Sequence, residues 1–115
     1  MSSYASIEFD FAKACQQAEQ LEALAGKLLN LSNDKFQGTM QQLSLNWKGE
    51  SAAAYQKKGA VLQNSMALTA KDVNKVAANI RTVARNIYEA EMEAKRIAEQ
   101  REYEMNQSKN ANKKK

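Results

Sequence analysis

From the N-terminus, Ile7, Phe11, Ala14, Ala18, Leu21, Ala25 and Leu28 follow one another at alternating spacings of four and three residues. That is the heptad signature of a helix with one apolar seam. Around Leu29, Ser32 and Phe36 the frame slips by one residue before Met40, Leu43 and Trp47 resume it. A stutter of this kind locally unwinds a coiled coil without ending it, so one helix can carry the whole stretch. The competing expectation is a break, because Ser32, Asn33 and Asp34 are poor helix formers and Asp34 could cap a new helix. Beyond Gly49, the positions Ala52, Tyr55, Gly59, Leu62, Met66, Thr69, Val73, Val76, Ile80, Val83, Ile87, Ala90, Ala94 and Ile97 alternate threes and fours with no slip. This predicts a second, uninterrupted helix whose stripe, Tyr55 included, faces the first.

Between the two runs stands Asn46-Trp47-Lys48-Gly49-Glu50-Ser51. Gly49 can adopt the left-handed conformation that ends a helix, while Glu50 and Ser51 suit the start of the next. The predicted architecture is therefore all-α: an antiparallel two-helix hairpin with helix one at about 7–47, the turn at 47–50 and helix two at about 51–104. Folding the chain about that turn sets Val76 opposite Leu21, Val83 opposite Ala14 and Ala90 opposite Ile7. It also sets Gly38 opposite Gly59, where the closest approach is expected. Helix two then outruns its partner, and residues from about 91 onward should overhang. Residues 1–104 read as one domain. The segment 105–115 has no apolar face and is expected to be a disordered, Lys-rich tail.

A two-helix hairpin has one seam and no third layer, which leaves its burial marginal. Leu24, Leu29, Leu31, Leu45, Val61 and Leu68 lie partly outside the seam and supply a second apolar surface. Pairing with another hairpin into a four-helix bundle dimer is the simplest way to cover it.

Composition narrows the chemistry. The 115 residues include no His and one Cys. The commonest general base and metal ligand is thus missing, and neither a thiolate metal cluster nor an internal disulfide can form. Carboxylates occur singly on wet helical faces, so no catalytic residues, cofactor or metal are expected, and the chain reads as a non-enzyme. Cys15, beside the seam, is expected to be a small buried hydrophobe. The absence of Pro agrees with long helices. The formal charge of +4 comes from the four Lys of residues 109–115, since residues 1–108 carry equal numbers of basic and acidic groups. Nucleic-acid binding, which needs a clustered basic face, is therefore not expected. No stretch is long and apolar enough for stable membrane insertion. The opening MSSYASIEFDF has neither the positive nor the apolar region of a cleaved signal peptide, so any export is expected to use another route.

The turn with its flank, WKGESAAAY at residues 47–55, set in a helical hairpin of this size, resembles the WXG family (ESAT-like) of small type VII (ESX) secretion substrates. The resemblance covers residues 1 to about 104. It implies hairpins that pair as homodimers or paralogue heterodimers, made in the cytoplasm of Gram-positive or mycobacterial cells and secreted by a membrane ATPase-driven machine. It further implies a bipartite export signal: the turn, here Trp47 and Gly49, near a motif in the C-terminal arm of the partner. The Tyr-x-x-x-Asp/Glu form of that motif is not met, because Met92 and Gln107 follow Tyr88 and Tyr103 by four residues. A looser form is met by Ile87, Glu91, Ala94 and Ala98. The ordinary roles of these residues are a bundle-end plug for Trp47 and a solvated helix charge for Glu91. The function this implies is a secreted interaction protein acting as effector, co-secreted partner or adaptor. The heptads alone fit equally an intracellular coiled-coil adaptor or chaperone that binds a partner helix.

Overall fold

The computed structural model describes residues 3–113, and all of its regular structure is helical. Helix α1 spans Tyr4–Asn30, a π-helical turn spans Leu31–Phe36, α2 spans Gln37–Asn46 and α3 spans Glu50–Lys113. Ser3 starts α1: its Oγ accepts the Ser6 N–H at 3.1 Å and its carbonyl accepts the Ile7 N–H at 3.0 Å. A serine in this place satisfies donors that the first helical turn otherwise leaves open.

The frame slip in the sequence has a direct structural counterpart. The helix does not break at Ser32–Asp34; it widens there into a π-turn and continues as α2. A π-turn takes up one residue more than an α-turn. That extra residue lets Ser32, Phe36, Met40 and Leu43 stay buried or half-buried although their spacing has left the heptad frame.

The chain forms two compact units, residues 16–79 and residues 3–15 with 80–113. In the first unit the chain reverses between α2 and α3, and the helices meet through small side chains. Ala18, Ala25, Ala52, Ala70 and Ala77 are buried, as is the hydroxyl of Ser32. On α1 the seam read from the sequence holds, with Leu21 and Leu28 half-buried between the alanines.

On α3 the expectation needs correction. Ala52, Gly59, Met66 and Val73 turn inward, but the other half of the expected stripe does not: Tyr55, Leu62, Thr69 and Val76 are exposed. Their inward places are taken by Gln56, Gln63, Ala70 and Ala77. The two rows differ in size: the inward one is rich in alanine and glycine, which let helix axes approach closely, and the row rich in Leu and Val is left outside.

The helix contact expected between Gly38 and Gly59 is not made: the space beside Gly59 is filled by the end of the Met40 side chain. A β-carbon at Gly59 would run into the Met40 thioether, whereas one at Gly38 meets nothing within 4 Å.

In the second unit Ile7 is buried, and Phe11 stacks on Tyr88 with ring centroids 4.8 Å apart. The overhang expected from residue 91 begins later, because Tyr4 is helical and its hydroxyl donates to Glu99 Oε2 at 3.0 Å. Helix α3 also runs past residue 104 to Lys113, through the segment read as a disordered tail. Nothing packs on residues 105–112, all of which are exposed. Their helix is carried by backbone hydrogen bonding and by the absence of Pro and Gly. Residues 114 and 115 of that expected tail lie outside the described residues.

Candidate interaction site

The segment joining α2 to α3 is built by three backbone choices. Asn46 and Ser44 fold their side chains back onto the carbonyls of Gln42 and Gln41, at 3.0 and 2.8 Å, in the last turn of α2. Trp47 then leaves the helix in an extended conformation (φ −131°, ψ 119°), while its N–H still reaches the Leu43 carbonyl at 2.9 Å. Gly49 takes φ +112°, the one positive φ among the described residues, in a region that a β-carbon disfavours. Its carbonyl accepts the Ala53 N–H at 3.0 Å and so opens α3, where Glu50 sits favourably at the positive end of the helix dipole.

Trp47 remains 38% exposed and leans on Tyr55, ring centroids 5.6 Å apart and tilted by 54°. Tyr55, expected in the core, is instead 57% exposed and forms the outer wall against which the indole rests. Two adjacent aromatic rings open to solvent, on a junction held by glycine, make a rigid anchor of the kind that concentrates binding energy at interfaces. Further along this unit, Gln37, Gln41, Gln56 and Gln63 surround Met40 in an open groove of about 180 Å³.

All six residues read as a second apolar surface, Leu24, Leu29, Leu31, Leu45, Val61 and Leu68, are exposed. The reading missed part of that surface by assigning Leu62 and Val76 to the seam. Val61 and Leu68 lie a heptad apart beside Leu62 and Thr69, which widens the apolar face of α3. The signal that would have found this is the set of small residues Ala52, Gly59, Ala70 and Ala77, which marks the close-packed side and so assigns the bulky row to the outside.

The C-terminal candidates sit in the other unit. Ile87 and Ala94 are exposed, while Glu91 and Ala98 are half-buried. The four therefore do not share one open surface. Around them Lys95 Nζ lies 5.1 Å from the Tyr4 ring centre and 3.8 Å from Glu99, a cation–π contact beside an ion pair. Arg96 grips Glu93 through two hydrogen bonds, Nη2 to Oε1 at 2.6 Å and Nε to Oε2 at 3.1 Å. That grip holds the Glu93 carboxyl below the usual carboxylate range and raises the guanidinium further. Burial and the bond to Glu99 push the Tyr4 phenol up.

Cys15 is a half-buried free thiol, less enclosed than expected. Among the described residues no group of three or more His, Cys, Asp or Glu side chains could hold a metal ion, and no helix is long and apolar enough to cross a membrane. The arrangement offers aromatic anchors and apolar rows. No protein-family model matches this chain, and neither a curated protein nor a solved structure matches it.

Proposed function

We propose that this chain is a secreted helical-hairpin interaction protein exported by a type VII machine, as effector, co-secreted partner or adaptor. Its working form is a homodimer or paralogue heterodimer arranged as a four-helix bundle. The observation that carries the reading is the α2–α3 junction: Trp47-Lys48-Gly49, with the indole 38% exposed against Tyr55 and Gly49 at positive φ. The dimer is supported by the bulky apolar side chains that the hairpin leaves uncovered, Leu24, Leu62, Leu68 and Val76 among them. Burying one such side chain stabilises by about 1.5–3 kcal/mol, against about 0.8 kcal/mol for a buried methyl of the alanine seam. Per side chain, a second hairpin over that face thus has more to bury than the alanine positions of the internal seam.

The test is export. Trp47→Ala, and separately deletion of residues 88–115 with the candidate signal Ile87, Glu91, Ala94 and Ala98 disrupted, should remove the protein from culture supernatant of the producing cells. Soluble, helical protein should remain inside. Undiminished export of both variants would remove the proposal, as would a wild-type chain found wholly in the cytosol with a bound helical partner.

A further inference from the structure

We infer that the α2–α3 junction binds the surface of an anionic lipid bilayer, with the rings of Trp47 and Tyr55 at headgroup depth and Lys48, Lys57 and Lys58 against the anionic headgroups. The contact is with the interface and does not cross it. The inference stands whether or not the protein is exported.

Large apolar side chains gather at the junction without cover: Leu45, Trp47, Tyr55 and Leu62 are all exposed, Leu45 most of all at 74%. Trp47 has left the helix in an extended conformation, and its ring leans on Tyr55. Tryptophan and tyrosine, each with an apolar body and one polar edge, settle at the boundary between headgroups and acyl chains. Tyr55, Lys58 and Leu62 stand three and four residues apart on α3 and so share one side of that helix. A lysine in such a place covers apolar surface with its stem and keeps its ammonium in water.

Charge points to the same partner. Between residues 36 and 70 the charged side chains are Lys48, Lys57 and Lys58 against Glu50, an excess of two positive charges, whereas residues 1–35 carry three basic and five acidic side chains. None of these three Lys is ion-paired among the described residues. A protein groove would also accept two rings, but unpaired lysines set around them favour a polyanionic surface. The chain has another basic region, the four Lys of residues 109–115. That segment has charge and no large apolar side chain, while the junction has both. Each Lys near an anionic surface raises affinity by about fivefold, and lasting attachment takes an apolar contact beside the charge.

Trp47 is the only tryptophan in the chain, so its fluorescence reports the site without a label. The protein is titrated with vesicles of phosphatidylcholine alone and of phosphatidylcholine with phosphatidylserine in equal parts. At low salt the anionic vesicles should shift the emission to the blue and float the chain on a density gradient. Added salt should reverse both effects, and phosphatidylcholine alone should produce neither. Lys57→Gln with Lys58→Gln should bind at least about tenfold more weakly, and Trp47→Ala should lose flotation while Trp47→Phe, which keeps a ring, retains it. Lys109→Gln, Lys113→Gln, Lys114→Gln and Lys115→Gln together should keep the blue shift. An unchanged indole spectrum with anionic vesicles would overturn the inference and leave the two rings to a protein partner. Flotation that disappears with the four C-terminal lysines yet persists in Trp47→Ala would overturn it as well, by assigning the attachment to the tail.

Discussion

Between residues 16 and 79 the helices meet through methyl groups and one buried hydroxyl, whereas residues 3–15 and 80–113 meet through rings and charged heads. The first unit buries Ala18, Ala25, Ala52, Ala70 and Ala77 around Ser32. The second buries Ile7 and otherwise relies on Phe11 against Tyr88, Lys95 over Tyr4 and the Tyr4 hydroxyl on Glu99. Small side chains bring backbones close and leave the bulky ones outside. Long ones hold backbones apart but cover each other. A face of uncovered Leu and Val accompanies the alanine seam and asks for a partner, and Phe9, Val83 and Ile87 are left uncovered in the second unit as well.

The sharpest way to break that comparison is to charge the uncovered row. Leu62→Lys with Val76→Lys puts two cations on a face that the alanine seam does not use. If a second copy covers that face, each side chain contributes about 1.5–3 kcal/mol to assembly. The double variant should then sediment as a monomer at concentrations where the parent is a dimer. Gln20→Lys, on an exposed polar position of the same unit, should leave sedimentation unchanged. A double variant that associates like the parent would mean that the bulky row is solvated after all.

Much of this contrast was legible before the structure, and the rest had a definite reason for being hidden. The seam of α1 was correct at every position from Ile7 to Leu28, because no other row of that helix repeats apolar residues at every turn, Phe9 and Leu24 standing singly outside it. The slip at Ser32 was visible as a change of spacing. Whether it becomes a broken helix or a π-turn depends on a hydrogen bond to Gln63, thirty-one residues away, which no local pattern contains. On α3 the period was right and the direction half wrong. A heptad fixes which residues share a row, but with Leu62 and Val76 in one row and Ala70 and Ala77 in another, periodicity does not say which row touches the neighbour. The turn residues were legible because Gly49 is needed for its backbone alone, whereas the outward tilt of Tyr55 follows from the same rotation of α3 that exposed Leu62.

A smaller effect sharpens the comparison within the first unit. Gly59→Leu should lower stability by about 1–3 kcal/mol, the usual range for overpacking, because the added side chain meets Met40. Gly38→Leu adds the same atoms where nothing lies within 4 Å of the new β-carbon. It should raise stability by up to about 1 kcal/mol through helix propensity alone. Thermal unfolding of the pair checks both signs at once. Equal shifts would mean that the Met40 side chain swings aside from Gly59 without cost.

The smallest effect belongs to the other unit and can be isolated by pH. Tyr4 is half-buried and donates to Glu99. Burial first, then that hydrogen bond and the negative charge of Glu99, raise its pKa, while Arg96 opposes them. A folded-state pKa above the unfolded value means that the neutral phenol is favoured by folding. Its contribution is therefore fully present below the ordinary tyrosine value of about 10 and is lost as pH rises through the folded value. Tyr4→Phe keeps the ring under Lys95 but removes the donor, so at neutral pH its melting temperature should fall slightly below the parent's, by less than Gly59→Leu costs. Exposed contacts of this kind contribute little and are screened by salt. Above about pH 10 the two melting curves should converge, since the parent's phenolate can no longer donate and is repelled by Glu99. Other tyrosines and lysines titrate in the same range, but they do so in both proteins and cancel in the difference. A gap that persists unchanged into strong alkali would assign the loss to packing around the ring instead of the hydrogen bond. The end of this unit would then resemble the alanine-packed one more closely than its charged side chains suggest.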